Sequence, residues 1–151
     1  MKTVHWLVGV VALAFVATTA PAFAQQPAAA GRIKVSFGSA FVVRGGTQVP
    51  VKAGDAIFES DVLRTGADGR LGVTLKDDTR VSLGPTSEVR VDKFVYAPAE
   101  GNLALALKVV RGVAAYVSGR IAKLSPDAVR LETPAAIVGV RGTTLAIKAD
   151  E

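Results

Sequence analysis

Carboxylates stand close enough together in this sequence to suggest acid–base or cation chemistry. Asp55, Glu59 and Asp61 form one group, and Asp77 is followed directly by Asp78. Two carboxyl groups on either side of a scissile bond can act as acid and base, and several together can hold a hard cation. Their settings point elsewhere. Asp55 follows Gly54, and Asp77-Asp78 falls between two apolar runs, where Asp side chains cap turn amides. No stretch has the spacing of an EF-hand loop or of a glycine-aspartate calcium repeat. The chain has no cysteine, which excludes thiol nucleophiles, cysteine-bound zinc and iron–sulfur clusters. Gly66-Ala67-Asp68-Gly69 and Gly139-Val140-Arg141-Gly142 carry glycines, but neither is a dinucleotide fingerprint and no Walker lysine follows. They read as bends between strands. The expectation is therefore no catalytic residue, no metal and no cofactor.

The single histidine, His5, sits in a segment with another role. Lys2 precedes a run from Val4 to Thr18 that is apolar apart from His5 and Thr18, and Ala22-Phe23-Ala24 supplies a small-x-small cleavage site. The run is shorter than the roughly 20 residues that span a bilayer. Residues 1–24 are expected to be a cleaved signal peptide, with the mature chain starting at Gln25 and residing in the periplasm. Cleavage removes the only imidazole, and with it general-base and ligand chemistry that depends on histidine. No later apolar run has membrane-spanning length, so no membrane span is expected in the mature chain.

What remains must position the residues above, and it reads as strands. Residues 25–32 form a flexible lead-in, and residues 33–151 form one all-β domain. Ile33 to Phe37 alternates apolar and polar side chains, as do Leu71 to Leu75, Arg80 to Leu83, Glu88 to Asp92 and Val129 to Thr133. Leu103 to Val110 reads as a long buried strand, Arg111-Gly112 as a turn, and Val113 to Ser118 as the next strand. Arg120 to Asp127 is the least strand-like stretch and is compatible with a helical turn. Turn clusters recur at the spacing of a roll, sandwich or solenoid. The expected architecture is a twisted solenoid-like or sandwich-like stack of short antiparallel strands. The aromatics Phe37, Phe41, Phe58, Phe94, Tyr96 and Tyr116 are expected in the core. The net charge is +5, with arginines scattered along polar strand faces rather than clustered. That pattern argues against nucleic-acid binding. It leaves open an attraction to acidic partner surfaces or anionic envelope glycans such as peptidoglycan.

Three ordered elements resemble the FecR domain. The first is Gly54-Asp55, Asp61, Leu63 and Thr65-Gly66. The second is Leu75, Leu83-Gly84-Pro85, Ser87 and Val89. The third is Thr133-Pro134 and Gly139-Val140-Arg141-Gly142-Thr143. The resemblance spans about residues 33–148. It implies an all-β periplasmic module with a binding or sensory role and no catalysis. In signalling members the domain relays iron-siderophore status between an anti-sigma segment and an outer-membrane transporter. This sequence shows no anti-sigma region, so it is similar to free-standing exported members, whose expected partner is an envelope protein. A structural envelope component that binds a glycan is the alternative. Gly54, Gly66, Gly139 and Gly142 are expected to permit tight bends. Thr65, Ser87, Thr143, Asp55 and Asp61 are expected to hydrogen-bond turn amides. Arg141 is expected to pair with Asp55 or Asp61, or to reach a partner. The last sheet edge is expected to be open or completed by a partner strand.

Overall fold

A computed structural model of the chain describes residues 20–22, 24, 26–140 and 144–150. The signal segment therefore lies almost wholly outside the described residues, as do Arg141, Gly142 and Thr143. The strands are β1 (Gly31–Phe37), β2 (Ala40–Arg44), β3 (Thr47–Pro50), β4 (Ala56–Ile57), β5 (Val62–Thr65) and β6 (Arg70–Leu75). They continue with β7 (Arg80–Leu83), β8 (Glu88–Ala97) and β9 (Asn102–Val117). After a single-turn helix α1 (Arg120–Leu124) come β10 (Val129–Glu132), β11 (Ile137–Gly139) and β12 (Thr144–Ala149). The fold is all-β. Its strand pairs are antiparallel except β9 with β10, which run parallel. β1 begins at Gly31, two residues before the expected edge of the domain, and Ala30 is already buried, its N–H donating to the Ile57 carbonyl.

The spine is β9. Its first half pairs with β8 on one side and β10 on the other, which carries β5, β2, β3 and β11 outward from it. Its second half pairs with β7 and β12, followed outward from β7 by β6, β1 and β4. One strand thus belongs to two sheets whose inner faces share one apolar core. That core includes Leu63, Val89 and Leu107 from the first sheet, and Val73, Val81 and Tyr116 from the second. The alternation seen in sequence is the alternation of burial: β6 and β7 expose every second residue and bury the others.

Three expectations need correction. The two strands expected at 103–110 and 113–118 are one, Asn102–Val117. The pairing register with β8 shifts between Glu88 and Val89, opposite Val109 and Arg111, and Gly112 takes φ +80°. A bulge followed by a left-handed glycine bends the strand without ending it. Second, β1 does not hold one face throughout. Its register shifts between Ile33 and Val35, so Ile33 points into the core while Val35 and Phe37 stand 57% and 67% exposed. Third, of the aromatics expected in the core, Tyr116 alone is fully buried; Phe41, Phe58, Phe94 and Tyr96 are half-buried. β4 escaped the periodicity because two residues are too few to display it, and β5 because its buried face pairs Leu63 with a threonine, Thr65, so it is not apolar throughout. The helical turn falls where the strand pattern lapses, as α1 and a following 3-10 turn at Pro126–Ala128.

Candidate functional site

The residues singled out in sequence gather at three corners where strands turn. The first is the turn before β5. Asp61 is 1% exposed, and its carboxylate accepts from the Phe58 N–H at 2.8 Å. Arg44, at the end of β2, grips both oxygens: Nε reaches Oδ1 at 2.8 Å and Nη2 reaches Oδ2 at 2.7 Å. The guanidinium also lies 4.6 Å from the centroid of the Phe58 ring and donates to the Ala56 carbonyl. Asp61 thereby raises the Arg44 pKa above its ordinary value, chiefly through that hydrogen bond. The main chain adds a second tie, because Asp61 and Val91 of β8 exchange a hydrogen bond through Val91 N–H and the Asp61 carbonyl. A shallow depression of about 460 Å³ adjoins the pair, between Glu59, Phe58 and the lead-in at Gln26–Ala28.

The second corner fastens β9 where it bends. Thr65 Oγ1 donates to the Gly84 carbonyl at 2.7 Å and accepts the Ser87 N–H at 2.9 Å. Ser87 Oγ accepts the Val113 N–H at 2.9 Å and lies 3.0 Å from the Pro85 carbonyl, to which it donates. Both side chains are buried. A Cβ on Gly112 would stand 2.3 Å from Ser87 Oγ, so the positive φ and the close approach both require glycine there.

The third corner is the β6–β7 turn. Asp77 is fully buried, and its carboxylate accepts from Thr79 N–H at 3.1 Å, Thr79 Oγ1 at 2.7 Å and Ile121 N–H at 3.2 Å. Its main-chain carbonyl accepts the Arg120 N–H at 2.7 Å. Asp78 takes a left-handed φ of 68° and faces solvent beside Arg120 at 3.2 Å, a pair too exposed to contribute much. Tyr116 lies against this corner. Burial raises its phenol pKa, the nearby Ser118 and Thr79 side chains oppose the rise, and the Asp77 carboxylate adds to it.

Each remaining motif residue has a local task or none. Asp55 Oδ2 accepts the Lys52 N–H at 2.9 Å, closing the turn that holds Gly54 at φ +97°. Thr133 Oγ1 accepts the Ala136 N–H at 3.1 Å across the Pro134 turn between β10 and β11. Gly66 does not have a positive φ; it is small because Ser39 packs against it, with Ser39 Cβ 2.9 Å from where a Cβ would stand. Gly139 ends β11 without a positive φ and with open space where a Cβ would stand. The expected pairing of Arg141 falls outside the described residues, and the carboxylate of Asp61 is already engaged on both oxygens by Arg44. The sequence offered no signal for Arg44 or Gly119, because each acts on a residue from a different strand or turn.

These corners do not converge on one cleft. Among the described residues there is no group of three or more His, Cys, Asp or Glu placed to hold a metal ion, and no helix long and apolar enough to cross a membrane. The outward charges of the β5–β8–β9–β10 sheet are mostly paired. Glu88 stands between Arg64 at 3.1 Å and Arg111 at 3.6 Å, Arg90 pairs with Asp92, and Arg130 with Glu132. Comparison with known families gives one match, to the family described as FecR protein, over residues 61–151. The match begins at Asp61, so the Gly54-Asp55 element lies upstream of it. No curated protein and no solved structure matches the chain.

Proposed function

Because the chain belongs to the FecR protein family, we propose that it is an exported, non-catalytic interaction or sensory module of the cell envelope. In this reading residues 1–24 direct export and are removed, and the strands work in the periplasm. The partner is an envelope protein, and the signal is carried by binding rather than by chemistry. One observation carries the proposal. The polar motif side chains that are described, Asp55, Asp61, Thr65, Ser87 and Thr133, all bond to main-chain groups of turns. A motif spent on holding turns defines a scaffold, and what a scaffold offers is surface.

The test is crosslinking of the tagged protein in its own cells, followed by mass spectrometry of the material it holds. The expected result is one dominant envelope protein, with the captured chain beginning at Gln25. Recovery of cell-wall polymer alone would replace the reading with a glycan-binding structural role. Recovery of nothing above background would overturn it.

A further inference from the structure

The two sheets present unlike outer faces. On the sheet of β8 and β10 most cations have an acid beside them. The outer face of β1, β6, β7, β12 and the second half of β9 is built differently. Cross-strand register sets Val35, Gly72, Ser82, Ala115 and Ala146 in one row. A parallel row below it contains Arg32, Thr74 and Arg80, continuing through Val117 to Thr144. Above it, Phe37 lies opposite Arg70 and Val113 opposite Lys148. None of these positions is buried and none is acidic, and of their cations Lys148 alone has a carboxylate beside it among the described residues, Asp150 at 3.2 Å. Arg70 and Arg80 have no carboxylate within salt-bridge distance among the described residues. Val35, Phe37 and Val113 are 57%, 67% and 46% exposed, and all three stand on this face.

We propose that this face docks an acidic protein surface. The proposal rests on the interaction-module reading and names the side of the module that does the binding. Exposed apolar side chains interleaved with cations that lack acids are the anatomy of a protein–protein contact. Unpaired arginines at its rim call for acids on the partner, which speed encounter and fix register. A second copy docking face to face would set Arg70 and Arg80 against basic groups and be repelled. A polyanionic glycan would satisfy the arginines and leave Val35, Phe37 and Val113 in water. At about 4.8 Å between strands and about 6.8 Å between same-face residues, the three rows cover roughly 500 Å². That is somewhat more than half of the ~800 Å² a standard interface takes from each partner, the size of a transient contact.

The test places the photocrosslinker p-benzoylphenylalanine at Ser82, mid-face, or at Lys93 on the other sheet, in the full exported chain in its own cells. The expected result is a protein adduct from position 82 whose crosslinked segment is rich in Asp and Glu. Its yield falls at least about tenfold in R70E/R80E. Thermal unfolding of that variant confirms the fold, and R70Q/R80Q replaces it if the fold is lost. Protein adducts from position 93 alone, or an adduct at 82 indifferent to charge reversal, overturn the docking face and leave the module reading standing. Adducts at 82 with peptidoglycan fragments only, or with a second copy, overturn the partner class. No adduct from either position overturns this proposal and the module reading together.

Discussion

Asp61 and Asp77 are both buried, and their carboxylates are satisfied by different means. At the Asp61 corner the turn supplies one amide, Phe58 N–H, and a full cation supplies the rest. At the Asp77 corner no cation among the described residues touches the carboxylate; three neutral donors do, and one of them comes from α1, 44 residues along the chain. A buried carboxylate is costly until its lone pairs are filled. The difference shows that the number of donors a turn and its neighbours offer decides whether a salt bridge is needed. It also separates two structural tasks. The Arg44 side chain is 51% exposed, so the first corner is pinned from outside by a strap across β2 and β5. Asp77 pins its own corner, the third, from inside, holding the β6–β7 turn to the segment that leaves β9.

The sharpest way to break this comparison is to remove each carboxylate. Asp77→Ala leaves the Thr79 N–H, the Thr79 hydroxyl and the Ile121 N–H without an acceptor in a dry site. The expected loss is about 4 kcal/mol in urea unfolding, with Asp77→Asn recovering part of it. A loss under about 1 kcal/mol would mean that water replaces the carboxylate and that the corner is not dry. The next effect tests how closely the inner corner is packed. A Cβ on Gly119 would stand 2.3 Å from the Thr79 nitrogen and 2.4 Å from the Asp77 oxygen, both main-chain atoms. Gly119→Ala is expected to cost about 3 kcal/mol. Gly54→Ala, near the other corner, meets open space and incurs only its left-handed φ, about 1 kcal/mol.

The outer corner predicts a smaller, coupled loss. Arg44→Ala strands a buried carboxylate, but the water that already reaches half of the arginine can reach the gap. We expect about 2 kcal/mol from Arg44→Ala, a similar loss from Asp61→Ala, and a double variant less destabilised than the sum by about 1 kcal/mol. Strict additivity would show that the two residues act separately, and the contrast with Asp77 would fail.

How much of this was legible depends on sequence distance. Asp77 as a turn residue follows from its place between two alternating runs, because the donors on Thr79 are two residues away. Its hold on Ile121 could not be read, because it exists only once β9 has carried the chain across both sheets. Asp61 was legible as a motif residue with an arginine partner, yet the partner is Arg44, brought into place by the β2–β5 pairing. Alternation identified β6, β7, β8 and the inward faces of β9, since each is long enough to show a period. It failed at β1, where one inserted residue reverses the faces and turns Val35 and Phe37 outward. It also failed at Gly112, where a glycine that ordinarily marks a turn serves a bend. Composition states that a residue can bend the chain; only the strands paired on either side decide whether the strand continues.

The smallest effect reads the inner corner through a neighbour. Tyr116 is buried beside Asp77, and burial first, then that carboxylate, raises its phenol pKa above the ordinary value near 10. The unfolded chain therefore gives up this proton at a lower pH than the folded one. Stability from this group is fully present below about pH 10 and is lost as pH rises through the folded-state value, with a slope of at most about 1.4 kcal/mol per pH unit. Because pH acts on the whole protein, the measurable quantity is the difference between the wild type and Tyr116→Phe. That difference should be flat from neutral pH to about 10, above which the wild type loses stability relative to the variant. In an Asp77→Asn background, where the negative charge is gone but the burial remains, that loss should be completed at lower pH. An unchanged profile in that background would mean that Asp77 exerts no field on Tyr116. The inner corner would then be held by hydrogen bonds alone, a sharper contrast with the ion pair at Asp61 than the one drawn above.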